Sequence, residues 1–159
     1  METGSQAVHQ ARSQLRPGLG SPNGAPDVFR ELAARLRERA ALLDLKLRDA
    51  VSGSGISVEQ WWMLDCLTRV EAASMSELSA AAQTPPPTTT RMVDRLTELA
   101  LVYRALDERD ARRVMVRIAP RGSALWEELE PATSAALSEW SGPLQEWQAR
   151  TVVEMLASQ

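Results

Sequence analysis

Three consecutive prolines, Pro85-Pro86-Pro87, separate two stretches of good helix formers. Proline has no N–H to give and its ring collides with the preceding turn, so no helix can cross this point. The same fixed φ suits the first position of a new helix. One helix must therefore end before Thr84 and another begin at about Pro87. The first reads as a short helix from Ser76, through Glu77, Leu78 and three alanines; the second runs to Leu99. Beyond Leu99 the apolar period changes from helical spacing to alternation. Leu101 to Leu106 and Val114 to Ile118 read as strands, with Val114, Val116 and Ile118 alternating against Met115 and Arg117. Between them lies a charged hairpin tip, Asp107-Glu108-Arg109-Asp110-Ala111-Arg112-Arg113.

Helices flank this unit on both sides. Asp27 can cap a helix to about Val51, with Phe29, Leu32, Leu36, Leu43 and Leu47 near helical spacing; Ser52-Gly53-Ser54-Gly55 breaks it. Ser57, with Gln60 three residues on, makes a capping box for the next helix, whose core stripe is Trp61, Leu64 and Leu67 and which ends near Arg69. Pro120 opens a long helix carrying Leu125, Trp126, Leu129, Leu137 and Trp140, with Pro131 inside it as an expected kink. Ser141-Gly142-Pro143 breaks it, and residues 144–157 form a last amphipathic helix. The order helix, short helix, helix, hairpin is a helix-turn-helix followed by a wing. The predicted fold class is mainly α with a two-stranded β wing: a winged helix-turn-helix flanked by N- and C-terminal dimerisation helices. Residues 1–26 are expected as a flexible arm, 27–55 and 120–159 as the helical dimerisation region, and 56–119 as the DNA-binding lobe.

Composition narrows the chemistry. The 159 residues make roughly one domain, long enough to bury a core without disulfides or metals. One Cys and one His remove most zinc sites, Cys-His dyads and Ser-His-Asp triads, so no catalytic set, metal site or cofactor is expected and the chain does not read as an enzyme. The lone Cys permits no internal disulfide and favours a reducing compartment. No secretory h-region and no run of about 18 apolar residues is seen. The expectation is a cytoplasmic protein without membrane contact.

The helix from Pro87 must show two faces. Thr89, Met92, Val93, Leu96 and Leu99 recur so as to pack inward. Pro87, Thr88, Arg91, Asp94 and Arg95 fall opposite. Short hydroxyl residues at a helix start let it approach a groove floor, and Arg can bond guanine bidentately. Charge agrees locally. Residues 88–117 hold seven Arg and five acids, a local +2 within a chain of formal −3. All seven are Arg, which suits planar phosphate and base contacts and insertion into a narrow minor groove.

Residues 56–126 resemble a winged-helix regulator of the multiple-antibiotic-resistance regulator (MarR) family. The resemblance rests on Leu78-Ser-Ala-Ala-Ala-Gln-Thr-Pro-Pro-Pro-Thr-Thr-Thr-Arg-Met-Val-Asp-Arg-Leu96, and on Leu101-Val102 followed by Asp107 to Ile118-Ala-Pro-Arg-Gly122. The Asp110-x-Arg112 of the wing tip, with Gly122 at a fixed distance, is its most diagnostic part. The resemblance implies that Thr88, Thr90 and Arg91 meet the major groove and that Arg112 enters the minor groove, braced by Asp110. Pro87 and Arg95 share the DNA-facing side. It also implies a repressor released by a small aromatic or phenolic ligand. Two positions depart from the family's pattern: Ala100 stands where Gly is usual, which for a left-handed turn costs about 1 kcal/mol, and Ala119 replaces a capping Thr.

Other readings stand beside these. Arg91 and Arg95 could be a solvated face paired with Asp94 or Glu98, and Asp110 with Arg112 a turn-stabilising ion pair. Thr89 reads as structural. Cys66 reads as an inert thiol. Trp62, beside Met63, Cys66 and Arg48, either fills a core or lines an effector pocket between the DNA-binding lobe and the arms. Trp140 and Trp147 read as dimer core. Two recognition helices about one DNA turn apart, ~34 Å, would read a pseudo-palindrome as a homodimer on double-stranded DNA. The competing class is a winged-helix protein-interaction module without DNA binding, which would not need Arg on both the helix face and the wing tip.

Overall fold

The computed structural model describes residues 24–107, 110, 113–142 and 144–157, with side chains from Asp27 onward. The elements in order are α1 (Gly24–Ala50), α2 (Val58–Arg69), β1 (Ala73–Ser74), α3 (Met75–Ala81), α4 (Pro86–Glu98), β2 (Val102–Leu106), β3 (Val114–Ile118), α5 (Pro120–Ser141) and α6 (Glu146–Ala157). Contacts group the chain into two units, up to Arg39 and Ala40–Gln159. The arm of residues 1–26 lies almost wholly outside the described residues.

Local chemistry sets the helix boundaries. Ser57 and Gln60 form the expected box at α2: the Gln60 N–H donates to Ser57 Oγ at 3.3 Å, and the Ser57 N–H to Gln60 Oε1 at 3.0 Å. A second box, Ser74 with Glu77, starts α3 one residue earlier than Ser76. Helix α4 begins at Pro86, one residue before the expected Pro87, with Pro85 as N-cap. Helix α5 runs through Pro131 as one element and opens on Ala119 without a side-chain cap.

The expected two-stranded wing is present as β2 and β3, and one further short strand joins it. The sheet thus has three strands in the order β1-β3-β2. Ala73 pairs with Val116 and Ser74 with Met115, while β2 and β3 pair from Val102–Ile118 to Leu106–Val114, all antiparallel. The extra strand anchors the base of the hairpin to the segment between α2 and α3. Alternation holds at that base, where Val102 and Val116 are buried, and fades at Leu106 and Val114, which are exposed because the hairpin outruns the core.

The core collects Leu47 and Val51 of α1, Trp61, Met63, Leu64 and Leu67 of α2, Leu78 of α3, Val93 and Leu96 of α4, and Val116 of β3. Thr89, Val93 and Leu96 are the buried face of α4, with Met92 and Leu99 half-buried beside them. The inward stripe read from the sequence is the observed one.

Candidate nucleic-acid interface

The turn into α4 is fixed from both sides. Gln83 takes a left-handed φ of 50°. Ser79 Oγ donates to the Thr84 carbonyl at 2.6 Å, and the hydroxyls of Thr84 and Thr89 lie 2.8 Å apart. Thr89 is fully buried, with its hydroxyl also 3.1 Å from the Pro85 carbonyl; its role is structural. The proline run solves a second problem. A helix start leaves unpaired N–H groups that a side chain normally caps. Here Pro85, Pro86 and Pro87 have no N–H, and Thr88 donates to the Pro85 carbonyl at 2.9 Å. No cap is needed. The same absence means the backbone of this helix start offers no N–H to a phosphate, so side chains must make any such contact.

On the outer face, Pro87, Thr90, Arg91 and Arg95 are exposed and Thr88 is half-buried. Thr90 Oγ1 donates to the Pro86 carbonyl at 3.0 Å, leaving its lone pairs to accept. Arg91 has no ion-pair partner among the described residues. Arg95 pairs with Glu98 at 3.1 Å, and Asp94 with Arg104 of β2 at 2.7 Å. Both pairs are exposed, and such pairs are worth about 1 kcal/mol or less. Phosphate can compete for Arg95 at little cost. The Asp94–Arg104 pair ties α4 to the wing.

Two further ties hold α4 in place. The Gln60 amide, besides capping α2, donates from Nε2 to the Met92 carbonyl at 3.3 Å. Leu101 N–H donates to the Leu96 carbonyl, and Ala119 N–H to the Leu101 carbonyl, both at 2.9 Å. Ala100, between them, adopts φ 56°, the left-handed turn at which the family's usual residue is Gly. Gly122 lies against the same carbonyl: a Cβ there would come within 2.0 Å of Leu101 O. That contact is the physical reason for a glycine at this spacing. Sequence reasoning noted Gln60 and Gly122 but not what they hold, and passed over Arg104; its only signal was its outward place in a strand.

At the wing tip the Asp107 N–H donates to the Arg113 carbonyl and the Arg113 N–H to the Asp110 carbonyl, each at 2.9 Å. Asp110 is exposed. Arg112 lies outside the described residues.

The four residues read as an effector pocket do not share one cavity. Trp62 lines a cavity of about 430 Å³, and Arg48 a different one beside Ser57 and Glu59. Met63 is fully buried in the core and Cys66 half-buried, and neither lines either cavity. The reason is helical phase: Met63 follows Trp62 by about 100° and turns inward with Leu67. Burial, then the charges of Glu77 and Asp65, push the Cys66 thiol up from its ordinary value, away from thiolate reactivity. Among the described residues no group of His, Cys, Asp and Glu is placed to hold a metal, and no helix is long and apolar enough to cross a membrane.

Residues 54–113 match the model of the MarR family. This segment, from just before α2 to the wing tip, is similar to that family's winged helix. A curated relative, the uncharacterized HTH-type transcriptional regulator YsmB of Bacillus subtilis, is 28% identical over 99 residues, covering 62% of this chain and 68% of its own. Solved structures share the fold. BpsR of Bordetella bronchiseptica, whose DNA binding is regulated by 6-hydroxynicotinic acid, superposes with a TM-score of 0.67 at 23% identity, covering 80% of this chain and 97% of its own. A MarR variant from E. coli in complex with operator DNA gives 0.66 at 22%, covering 80% and 92%. The matched segment is thus similar to transcription regulators of the MarR family.

Proposed function

We propose that this protein is a homodimeric, sequence-specific repressor of the MarR family on double-stranded DNA, released by a small aromatic or phenolic ligand. Supporting the DNA contact is one observation above others: Pro87, Thr88, Thr90, Arg91 and Arg95 stand together on the outer face of α4, linked through Asp94–Arg104 to the wing. In this reading Thr88, Thr90 and Arg91 meet base edges. Arg95 meets phosphate, and Arg112 with Asp110 reaches the minor groove. That a MarR variant of the same fold is found in complex with operator DNA supports DNA as the partner.

Supporting the dimer are apolar faces that the protomer leaves uncovered. Phe29, Leu32 and Leu36 of α1, and Trp147, Val153 and Leu156 of α6, are all about half or more exposed. Exposed apolar faces of this kind, each taken by itself, mark interaction sites. The proposed division is therefore dimerisation by 27–55 and 120–159 and DNA reading by 56–119, in the cytoplasm where DNA lies. Release by ligand is a population shift and requires the ligand to prefer the state with wrongly spaced recognition helices.

The test is selection of bound duplexes from genomic fragments, followed by sedimentation of protein with the selected duplex. The expected product is a pseudo-palindrome holding two protomers. One protomer per site would overturn the dimer. Failure to enrich any sequence would overturn the regulator and leave a winged helix that docks on protein.

A further inference from the structure

Three elements, α1, α2 and the turn from α3 to α4, line the half-open cavity of about 430 Å³ to which Trp62 contributes. That volume lies in the range of small-molecule sites. Its walls hold two carboxylates, Asp44 and Glu59, with the apolar Leu43 and Val58 beside the indole. No Lys or Arg is among the described residues that line it. Trp62 is fixed from behind by Trp61, ring centroids 4.7 Å apart at 62°, an edge-on contact that leaves it a rigid wall.

We propose that this cavity binds a small organic cation, of the quaternary ammonium or aromatic onium class, with Asp44 and Glu59 balancing its charge and Trp62 covering its apolar body. Quaternary ammonium and phosphonium ions have no N–H to donate, so an aromatic wall with nearby carboxylate charge is the chemistry that recognises them. The same pair of carboxylates repels a phenolate or benzoate. The ligand class thus departs from the phenolic one implied by resemblance and is cationic. The Ser57 hydroxyl, the backbone and the nearby Arg48 together hold the Glu59 carboxyl below its usual value, so it is ionised at neutral pH. Arg48 itself lines the neighbouring cavity, which shares Val58 and Glu59 with this one.

The cavity also touches the DNA-reading helix. Gln83 and Thr84 form part of its wall, and Thr84 holds Thr89 of α4 through the 2.8 Å hydroxyl contact. An occupant that presses on this turn shifts the first turn of α4. This consequence, unlike the binding itself, rests on the ligand-released reading above.

The test is calorimetry on the full chain without DNA, titrating benzyltrimethylammonium and tetraphenylphosphonium, with salicylate as the anionic control. The cations are expected to bind and salicylate not. The double variant Asp44→Asn, Glu59→Gln should weaken cation binding about tenfold or more, and Trp62→Leu should weaken it similarly, with the helical circular dichroism of each unchanged. Absence of binding by both cations at millimolar concentration overturns the proposal. So does equal affinity for salicylate, or cation affinity untouched in the double variant. A parallel arm follows anisotropy of the selected duplex. If the cation binds yet leaves DNA affinity unchanged, the cavity assignment stands and ligand release falls. If no duplex is ever selected, the DNA reading falls while calorimetry still decides the cavity.

Discussion

At the scale of single residues, two positions beside Leu101 carry opposite expectations. Gly122 has no room for a methyl group, since a Cβ would meet a backbone carbonyl within 2.0 Å that is itself bonded to Ala119 N–H. Gly122→Ala is expected to cost about 2 kcal/mol or more, because backbone must move to relieve the clash. Ala100→Gly is expected to gain up to about 1 kcal/mol, since Ala at φ 56° carries a strain that Gly lacks. Urea midpoints of the two variants check both signs. Ala100 was legible in the sequence as a departure from Gly, and the left-handed turn is there. Gln83 was not legible: nothing in Ala82-Gln83-Thr84 announces a positive φ, and the turn is imposed by the hydroxyls and carbonyls that close on it. Met63 was misplaced for a related reason. Proximity in sequence to Trp62 says nothing of phase, and the core took it.

At the scale of elements, helix starts were readable where a capping residue had no rival. Ser57 with Gln60 had none. Ser74 competed with Ser76, and only Ser74 has a Glu three residues on, a signal present in the chain and passed over. Strand β1 was out of reach, because two residues carry no period; Ala73 and Ser74 are extended only because β3 offers them partners. The α3 box yields a pH expectation. Hydrogen bonds from the Ser74 backbone N–H and then its hydroxyl hold the Glu77 carboxyl below its ordinary 4.5. A carboxyl lowered in the fold contributes stability that is fully present above the unfolded value and is lost as pH falls through the lowered one. Glu77→Gln keeps an acceptor but cannot ionise. Wild type is therefore expected to exceed the variant in stability at pH 7, with the gap closing as pH falls below about 4. Thermal melts across that range, read by circular dichroism, measure it.

For the whole molecule, the two readable signatures were the change of period at Leu99 and the uneven placement of Arg. Both follow from local chemistry, so sequence alone carried the winged helix and its outer face. Of the cavity beside Trp62 only the indole was readable, since its walls come from residues of α1, α2 and the α3–α4 turn that lie far apart in the chain. The uncovered apolar faces of α1 and α6 belong to this scale too. Replacing Val153 and Leu156, both about 63% exposed, with Glu is expected to leave helix content intact and to shift the protein from dimer to monomer in sedimentation velocity. A dimer unchanged by both substitutions would place the interface elsewhere.

In the proposed function the outer face of α4 reads DNA sequence. The most direct test of that reading is fluorescence anisotropy with the selected duplex and a scrambled one, over a range of salt, for wild type and Arg91→Ala. Arg91 lies exposed beside Thr88 and Thr90, and its loss removes no ion pair seen among the described residues. The account expects wild type to prefer the selected duplex. It expects Arg91→Ala to lose about tenfold or more of that preference, with scrambled binding and its salt slope reduced by at most about one phosphate contact. A variant that keeps the full preference would contradict the account, because α4 would then not be the helix that reads the bases.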